Sequence, residues 1–232
     1  MNEIETMQLE LLNQELVACR LCLEAGHTIA PGPIFSHPVD AKVMLIGQAP
    51  GITEVDARRP FNAGSGKRLF QWLGKAGWQE DDFRVRHAMT AVTKCYPGKA
   101  GNGKGDRVPS TDEQKLCRPF LERELKIYNP RLTLLVGGVA IKLLYPAKLK
   151  LVEIIGTAAC FPDTGAGDLL NLNYRKAELV NHPAQINELN GCWIVPLPHP
   201  SGASLWPNKL QNKALIERAI EILYTIRERY RL

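Results

Sequence analysis

The sequence predicts an α/β protein built on a parallel sheet with helices over both faces. Three observations point there. Short, near-continuous apolar runs end at glycine or at turn residues, as strands buried on both faces do. Segments with apolar residues at helical spacing separate those runs. The alternation continues through 232 residues without an internal repeat or a Pro/Gly/Ser-rich linker, as strand–helix–strand crossovers in one unit would.

Taken in order, Ile4, Met7, Leu11, Leu12 and Leu16 predict an amphipathic helix over 3–18, with Glu15 outward. Lys42-Val-Met-Leu-Ile-Gly47 reads as the first strand. Leu69, Phe70 and Leu73 restore helical periodicity over 66–77, and His87 to Val92 reads as the second strand. A helix is expected from Thr111 to about Ile127, with Thr111 and Gln114 spaced as a capping box. Leu132 to Gly137 forms a third strand, Val139 to Leu144 a short helix, and Trp193 to Leu197 a fourth strand. The last helix, about 208–230, repeats Leu215, Ala219, Ile222, Leu223, Ile226 and Tyr230 on one side. Ligands of such sheets sit beyond the carboxyl ends of the strands. Those ends are Gly47-Gln-Ala-Pro-Gly51, Thr93-Lys-Cys95 and Pro198-His-Pro-Ser201.

Bulk composition excludes several classes. At 45% hydrophobic and 23% charged, the chain has the make-up of a globular protein, not of a disordered, collagenous or coiled-coil one. No apolar run reaches the roughly 18 residues of a membrane span; the nearest, Leu132 to Tyr145, contains Lys142. Glu3, Glu5 and Glu10 stand where a secretion signal needs basic and then apolar residues, so a cytoplasmic location without a membrane partner is expected. The net charge of +5 is modest but sorted. From Ala57 to Gln79 there are five Lys/Arg and no acid, and from Arg84 to Arg107 six Lys/Arg against Asp106 alone. Leu189 to Ile216 adds Lys209 and Lys213, again without an acid. Such segregation predicts a basic face that meets phosphates.

Four of the six cysteines form a pattern: Cys19-x-x-Cys22 after the first helix, Cys95 after the second strand, and Cys117 inside the next helix. A reducing compartment disfavours disulfides, so the set points to a metal, and four thiolates suit tetrahedral zinc or an iron–sulfur cluster. Zinc ribbons supply paired Cys-x-x-Cys knuckles, and the single pair here favours a cluster. Cys160 and Cys192 read as core residues. Gly98-Lys-Ala-Gly-Asn-Gly103-Lys104 matches seven positions of a phosphate-binding loop, but Gly105 replaces the Mg²⁺-binding hydroxyl and no helix is expected to follow. With Lys99, Lys104 and Arg107 this loop fits contact with a nucleic-acid backbone instead.

Gly47-Gln-Ala-Pro-Gly51, Glu54, Arg59-Pro-Phe61, Gly64 and Gly66-Lys67 together resemble the first motif of the uracil-DNA glycosylase superfamily. His199-Pro-Ser201 resembles its second motif. Lys94-Cys95-Tyr-Pro97 and Cys117-Arg-Pro-Phe-Leu121 are similar to the iron–sulfur branches, families four and five. The resemblance runs from Cys19 to about Lys213. It implies one domain over 1–232, three-layered α/β/α with a four-stranded parallel sheet. It implies a structural four-iron, four-sulfide cluster on Cys19, Cys22, Cys95 and Cys117, with zinc as the alternative. It also implies a monomeric DNA-repair glycosylase, acting on single- or double-stranded DNA, that removes uracil or another deaminated base flipped from the stack.

Such chemistry breaks the C1′–N1 bond through a sugar with oxocarbenium character. It needs an aromatic face, donors for the leaving base, and an acid near the sugar. The resemblance assigns stacking to Phe61, donation to the base to His199, and the acid to Glu54, with Asp56 as a second candidate. Gln48 stands at the water-activating position, and Gly47, Ala49, Ala91 and Ser201 line the base. Lys67, Lys99, Lys104 and Arg107 would meet DNA phosphates, and Leu205 and Trp206 would press into the groove. Two departures stand out. Family four usually has Glu at the position of Gln48 and Asn at that of Ala91. Family five shares the alanine but normally has an Asp soon after Arg-Pro-Phe, where this chain has Asn62-Ala-Gly. Loss of a base-reading amide predicts relaxed or altered base choice, deaminated purines included. A relative that binds flipped bases and cuts weakly or not at all is the alternative.

Overall fold

The computed structural model describes residues 1–101, 105–162, 165–202 and 204–232, so Lys104 lies outside the described residues. In chain order the elements are α1 (Glu3–Ala18), α2 (Leu21–Glu24), β1 (Val43–Gly47), α3 (Ile52–Ala57), α4 (Ala63–Lys75) and α5 (Glu80–Arg86). There follow β2 (Ala88–Ala91), α6 (Thr111–Tyr128), β3 (Leu132–Val136), α7 (Gly138–Ile141) and α8 (Leu151–Ile154). Then come β4 (Ala158–Pro162), β5 (Glu178–Val180), β6 (Gly191–Leu197) and α9 (Leu210–Tyr230).

The sheet order is β2-β1-β3-β6-β4-β5. The first four are the expected parallel strands, in registers such as Met44 with Ala88, Leu45 with Leu134, and Leu134 with Val195. Their residues are buried throughout, which is why they read as unbroken apolar runs. The four-stranded expectation is corrected to six: β4 runs antiparallel to β6, and β5 antiparallel to β4. Neither carries a strong strand signal. β4 is Ala-Ala-Cys-Phe-Pro, and β5 is a three-residue edge strand with two exposed positions.

At the opposite edge, an extended segment covers β2. Ser36 and Met89 exchange backbone hydrogen bonds of 2.8 and 2.9 Å, Ile34 N donates to Lys94 O at 2.8 Å, and Ala30 N to Tyr96 O at 3.0 Å. This protects the edge and carries the stretch that follows Cys22 back along the Cys95 strand end.

The helices make up the outer layers of the α/β/α sandwich. α1 and α2 pack with α6, and α4 packs with α5 and α9. In α1 the buried face is Leu9, Leu12 and Leu16, while Ile4, Met7 and Leu11 are exposed, so the apolar stripe expected inward is split between the two sides. The cap of α6 is Ser110 with Glu113, one residue before the expected Thr111 pair. Cys160 and Cys192 are buried in the core. Among the described residues no helix is long and apolar enough to cross a membrane.

Candidate active site and cysteine chamber

The chain order turns at β1, whose neighbours are β2 and β3, and a cavity of about 330 Å³ opens beyond the carboxyl ends there. It is lined by Gly47, Gln48, Ala49, Glu54, Phe61, Ala91, Arg107, His199 and Ser201, which places the expected base-binding and catalytic residues in one cleft. Asp106 and Thr90 also line it.

Phe61 owes its position to close approaches. A Cβ on Gly47 would lie 2.8 Å from Phe61 Cζ, and one on Gly66 would lie 1.9 Å from Phe61 O. Glycine at both positions therefore lets the ring settle over the end of β1 and lets α4 begin directly beneath the loop. Phe61 itself has φ +49°, a left-handed backbone that its surroundings must impose. Arg84 supplies that constraint, donating to Pro60 O and Phe61 O at 2.8 Å each while stacking over Phe70.

His199 follows β6, and burial pulls its imidazole below the ordinary histidine range, so it is neutral at neutral pH. Ser201 N donates to His199 Nδ1 at 3.2 Å. The proton of the neutral ring therefore sits on Nε2, which makes Nε2–H a donor.

Glu54, expected near the sugar, is buried at the third position of α3, and its two oxygens accept backbone N–H groups. Gly51 N donates to Oε2, and Asn62 N to Oε1 at 3.3 Å. Burial raises its carboxyl above the ordinary value, against these hydrogen bonds. It ties the Gly51 turn to the Phe61 loop.

The DNA-facing candidates separate. Lys67 and Lys99 are exposed, and Leu205 is 72% exposed at the tip of its loop. Trp206 instead packs against the core, and Asn212 Nδ2 donates to its carbonyl at 2.8 Å. Arg107 is engaged by Glu113 through two hydrogen bonds of 2.7 and 2.6 Å, so its charge is already paired. The described residues at either side of the phosphate-loop look-alike form a hairpin stem: Arg107 N donates to Gly98 O at 2.9 Å and Ala100 N to Gly105 O at 3.0 Å.

Cys19, Cys22, Cys95 and Cys117 line one chamber with Leu16, Leu21, Ile29, Pro33 and Phe120. Burial, with neighbouring thiols adding, pushes the Cys22 thiol up to about 11 and Cys95 to about 12. Lys94 N donates to Cys117 Sγ at 3.4 Å. Apolar walls disfavour bare thiolates, so this donor set is one that a cationic metal centre would satisfy. Among the described residues, no group of three or more His, Cys, Asp or Glu is placed to hold a single metal ion.

Between chamber and cleft runs a buried ionic network that sequence spacing did not suggest. Lys94 Nζ lies 2.8 Å from Glu124 Oε2 and donates to Ala91 O at 2.6 Å. Glu124 also accepts from Thr90 Oγ1 at 3.1 Å and faces His37 Nε2 at 3.0 Å. Burial alone would raise the Glu124 carboxyl, but Lys94 and His37 outweigh it and hold it below the ordinary range.

The comparisons agree with this geometry. The family model described as the uracil DNA glycosylase superfamily matches residues 33–223. A type-4 uracil-DNA glycosylase of Pyrobaculum aerophilum is 30% identical over 146 residues, covering 61% of this chain and 69% of the relative. One from Sulfurisphaera tokodaii is 29% identical over 138 residues, 59% of this chain and 58% of the relative. One from Thermotoga maritima is 25% identical over 141 residues, 60% and 67% respectively. The match thus spans about three-fifths to two-thirds of these relatives' length. With the motif glycines, Phe61 and His199 assembled beyond the parallel strands, the chain belongs to the uracil DNA glycosylase superfamily.

Proposed function

We propose that this protein is a DNA-repair glycosylase that hydrolyses the N-glycosidic bond of uracil, or of another deaminated base, swung out of DNA. The observation that carries the reading is the meeting of Phe61 and the Nε2–H donor of His199 in one cleft of base-sized volume. Phe61 offers the face on which a flipped base stacks. His199, neutral and held through Nδ1, donates to the base as negative charge develops on it. Glu54 fixes the loop that carries Phe61 and acts through it. Lys67 and Lys99, with Lys104 beyond the described residues, provide charge for DNA phosphates, and Leu205 offers an apolar wedge.

Cys19, Cys22, Cys95 and Cys117 would hold a four-iron, four-sulfide cluster. Bound there, it supplies a cross-link among three chain segments and no redox step in the hydrolysis. Paired Cys-x-x-Cys knuckles are the usual zinc-ribbon ligands, and the single Cys19-x-x-Cys22 pair with two isolated cysteines favours a cluster over zinc. Ala91 presents a methyl group where an amide would read the base edge, so base choice is expected to be broad.

Excision from oligonucleotides carrying uracil, hypoxanthine or xanthine, single- and double-stranded, tests the reading. Uracil should be released, and His199→Ala should lower release by about 100-fold or more while DNA affinity holds. Release of none of the three bases by a brown, iron- and sulfide-containing wild-type protein would sink it. A binding relative that does not cut would then stand, favoured by the neutral Gln48 and Ala91.

A further inference from the structure

Hydrolysis of the glycosidic bond calls for a carboxylate facing the sugar, and two acids line the cleft among its described residues: Glu54 and Asp106. They differ in what surrounds them. Glu54 is 8% exposed, and its two oxygens accept backbone amides of the loop it organises. Asp106 is exposed at the cleft wall.

Asp106 is also fixed in place. It sits in the hairpin stem opposite Lys99, next to the Arg107-to-Gly98 backbone bond. The buried Tyr96 donates its hydroxyl to Asp106 Oδ1 at 2.9 Å. That bond points the other oxygen, Oδ2, at the Gly51 turn beyond β1, where a Cβ on Gly51 would lie 3.0 Å from it. The base donor, His199, enters the same cleft from β6. β3 separates β1 from β6, so the acid at the β1 turn and the donor after β6 enter the one cleft from two different strand ends. The remaining polar side chain at the motif turn, Gln48, is a neutral amide and accepts no proton at neutral pH.

From this placement we infer that Asp106 is the carboxylate that orients the attacking water and balances the sugar cation in this protein. The C1′–N1 bond breaks with its electron pair passing to N1 of the base, whose negative charge His199 meets. The water oxygen then bonds to C1′. Its proton passes to Asp106 and from there to solvent or to the departing base, leaving an abasic site with a C1′ hydroxyl and a neutral base. The role rests on the glycosylase reading above. It is separate from the loop-holding of Glu54, which touches backbone only.

Single-turnover excision of uracil by wild type, Asp106→Asn and Asp106→Glu is the test. Asp106→Asn keeps the shape and the acceptor for Tyr96 but not the charge, and should slow excision by about 100-fold or more. It should melt as wild type does and bind an abasic-analogue oligonucleotide within about threefold of it. Asp106→Glu, which restores the charge, should lie clearly above Asp106→Asn. The inference is overturned if Asp106→Asn excises within about threefold of wild type, or if the Asn and Glu variants are equally slow, which would show that shape and not charge matters. It is also overturned if the loss is matched by loss of folding or DNA binding. If wild type releases no base at all, the glycosylase reading falls first and this inference with it, a result distinct from a fast Asp106→Asn enzyme.

Discussion

The two cavities at the carboxyl end of β2 treat polar atoms in opposite ways. The cysteine chamber surrounds four thiols with leucine, isoleucine, proline and phenylalanine, so burial pushes Cys22 and Cys95 towards the protonated thiol. The cleft beyond β1 and β6 instead leaves Asp106 and His199 partly open and holds each by a hydrogen bond. Ser201 N holds His199, and the Tyr96 hydroxyl holds Asp106. The lesson is that one short strand end can serve both a site that must exclude water and a site that must admit it. Lys94 makes this workable. Its backbone N–H faces Cys117 in the chamber, while its side chain neutralises Glu124 and pins the carbonyl of Ala91 at the cleft.

The largest expected effect comes from breaking that shared element. Lys94→Met leaves Glu124 buried without its main cation and should cost about 3–5 kcal/mol, read from denaturant unfolding, with iron content and excision falling together. Lys94→Met combined with Glu124→Gln should recover a good part of the loss. A single variant that loses under about 1 kcal/mol would show that the cavities are independent.

A change confined to the cleft should be smaller. Gly47→Ala sets a methyl group 2.8 Å from the Phe61 ring and forces the stacking face to move. Excision should drop roughly 10- to 100-fold, with iron content unchanged. Loss of iron in this variant would contradict the separation of the two sites.

At neutral pH the smallest effects belong to two residues that line neither cavity, and these emerge only in acid. His87 is enclosed by Trp78 and Phe83, and burial pulls its imidazole from 6.5 down to about 4. The unfolded chain takes up that proton first, so stability falls as the pH drops from 6.5 towards 4. Arg107 holds Glu113 at about 2 against 4.5, which adds a second loss as the pH drops from 4.5 towards 2. Thermal melting against pH should flatten over the upper window in His87→Phe and over the lower in Glu113→Gln. A wild-type melting temperature unchanged from pH 7 to pH 4 would refute the first assignment.

How far these features were readable from the chain depends on how local each is. The four parallel strands announce themselves as apolar runs, and their glycine-rich ends as ligand turns. β4 stays silent because Ala-Ala-Cys-Phe-Pro, though mostly buried, has no run of β-branched or large apolar residues, and β5 because three residues, two of them exposed at the edge, hold no pattern that periodicity detects. In α1, Ile4, Met7 and Leu11 satisfy helical spacing as well as Leu9, Leu12 and Leu16 do, and only packing against α6 chooses between them. Leu205 and Trp206 look alike as apolar neighbours, yet one faces solvent and the other the core.

What the sequence determined alone was the set of parts: a strand-end turn of Gly47 to Gly51, an aromatic at Phe61, a donor at His199 and a quartet of cysteines. Those are local choices of residue type, spelled out over a few positions. The tertiary structure decided which parts meet. Chain closure brings Asp106 beside Gly51 from more than 50 residues away, pairs Lys94 with Glu124, and turns Glu54 towards backbone amides. The nitrogen of His199 that keeps its proton was likewise settled by a backbone N–H two residues on, in a loop shaped by the fold. Hydrogen bonds and charge pairs act over a few ångströms of space, and sequence spacing does not measure that distance.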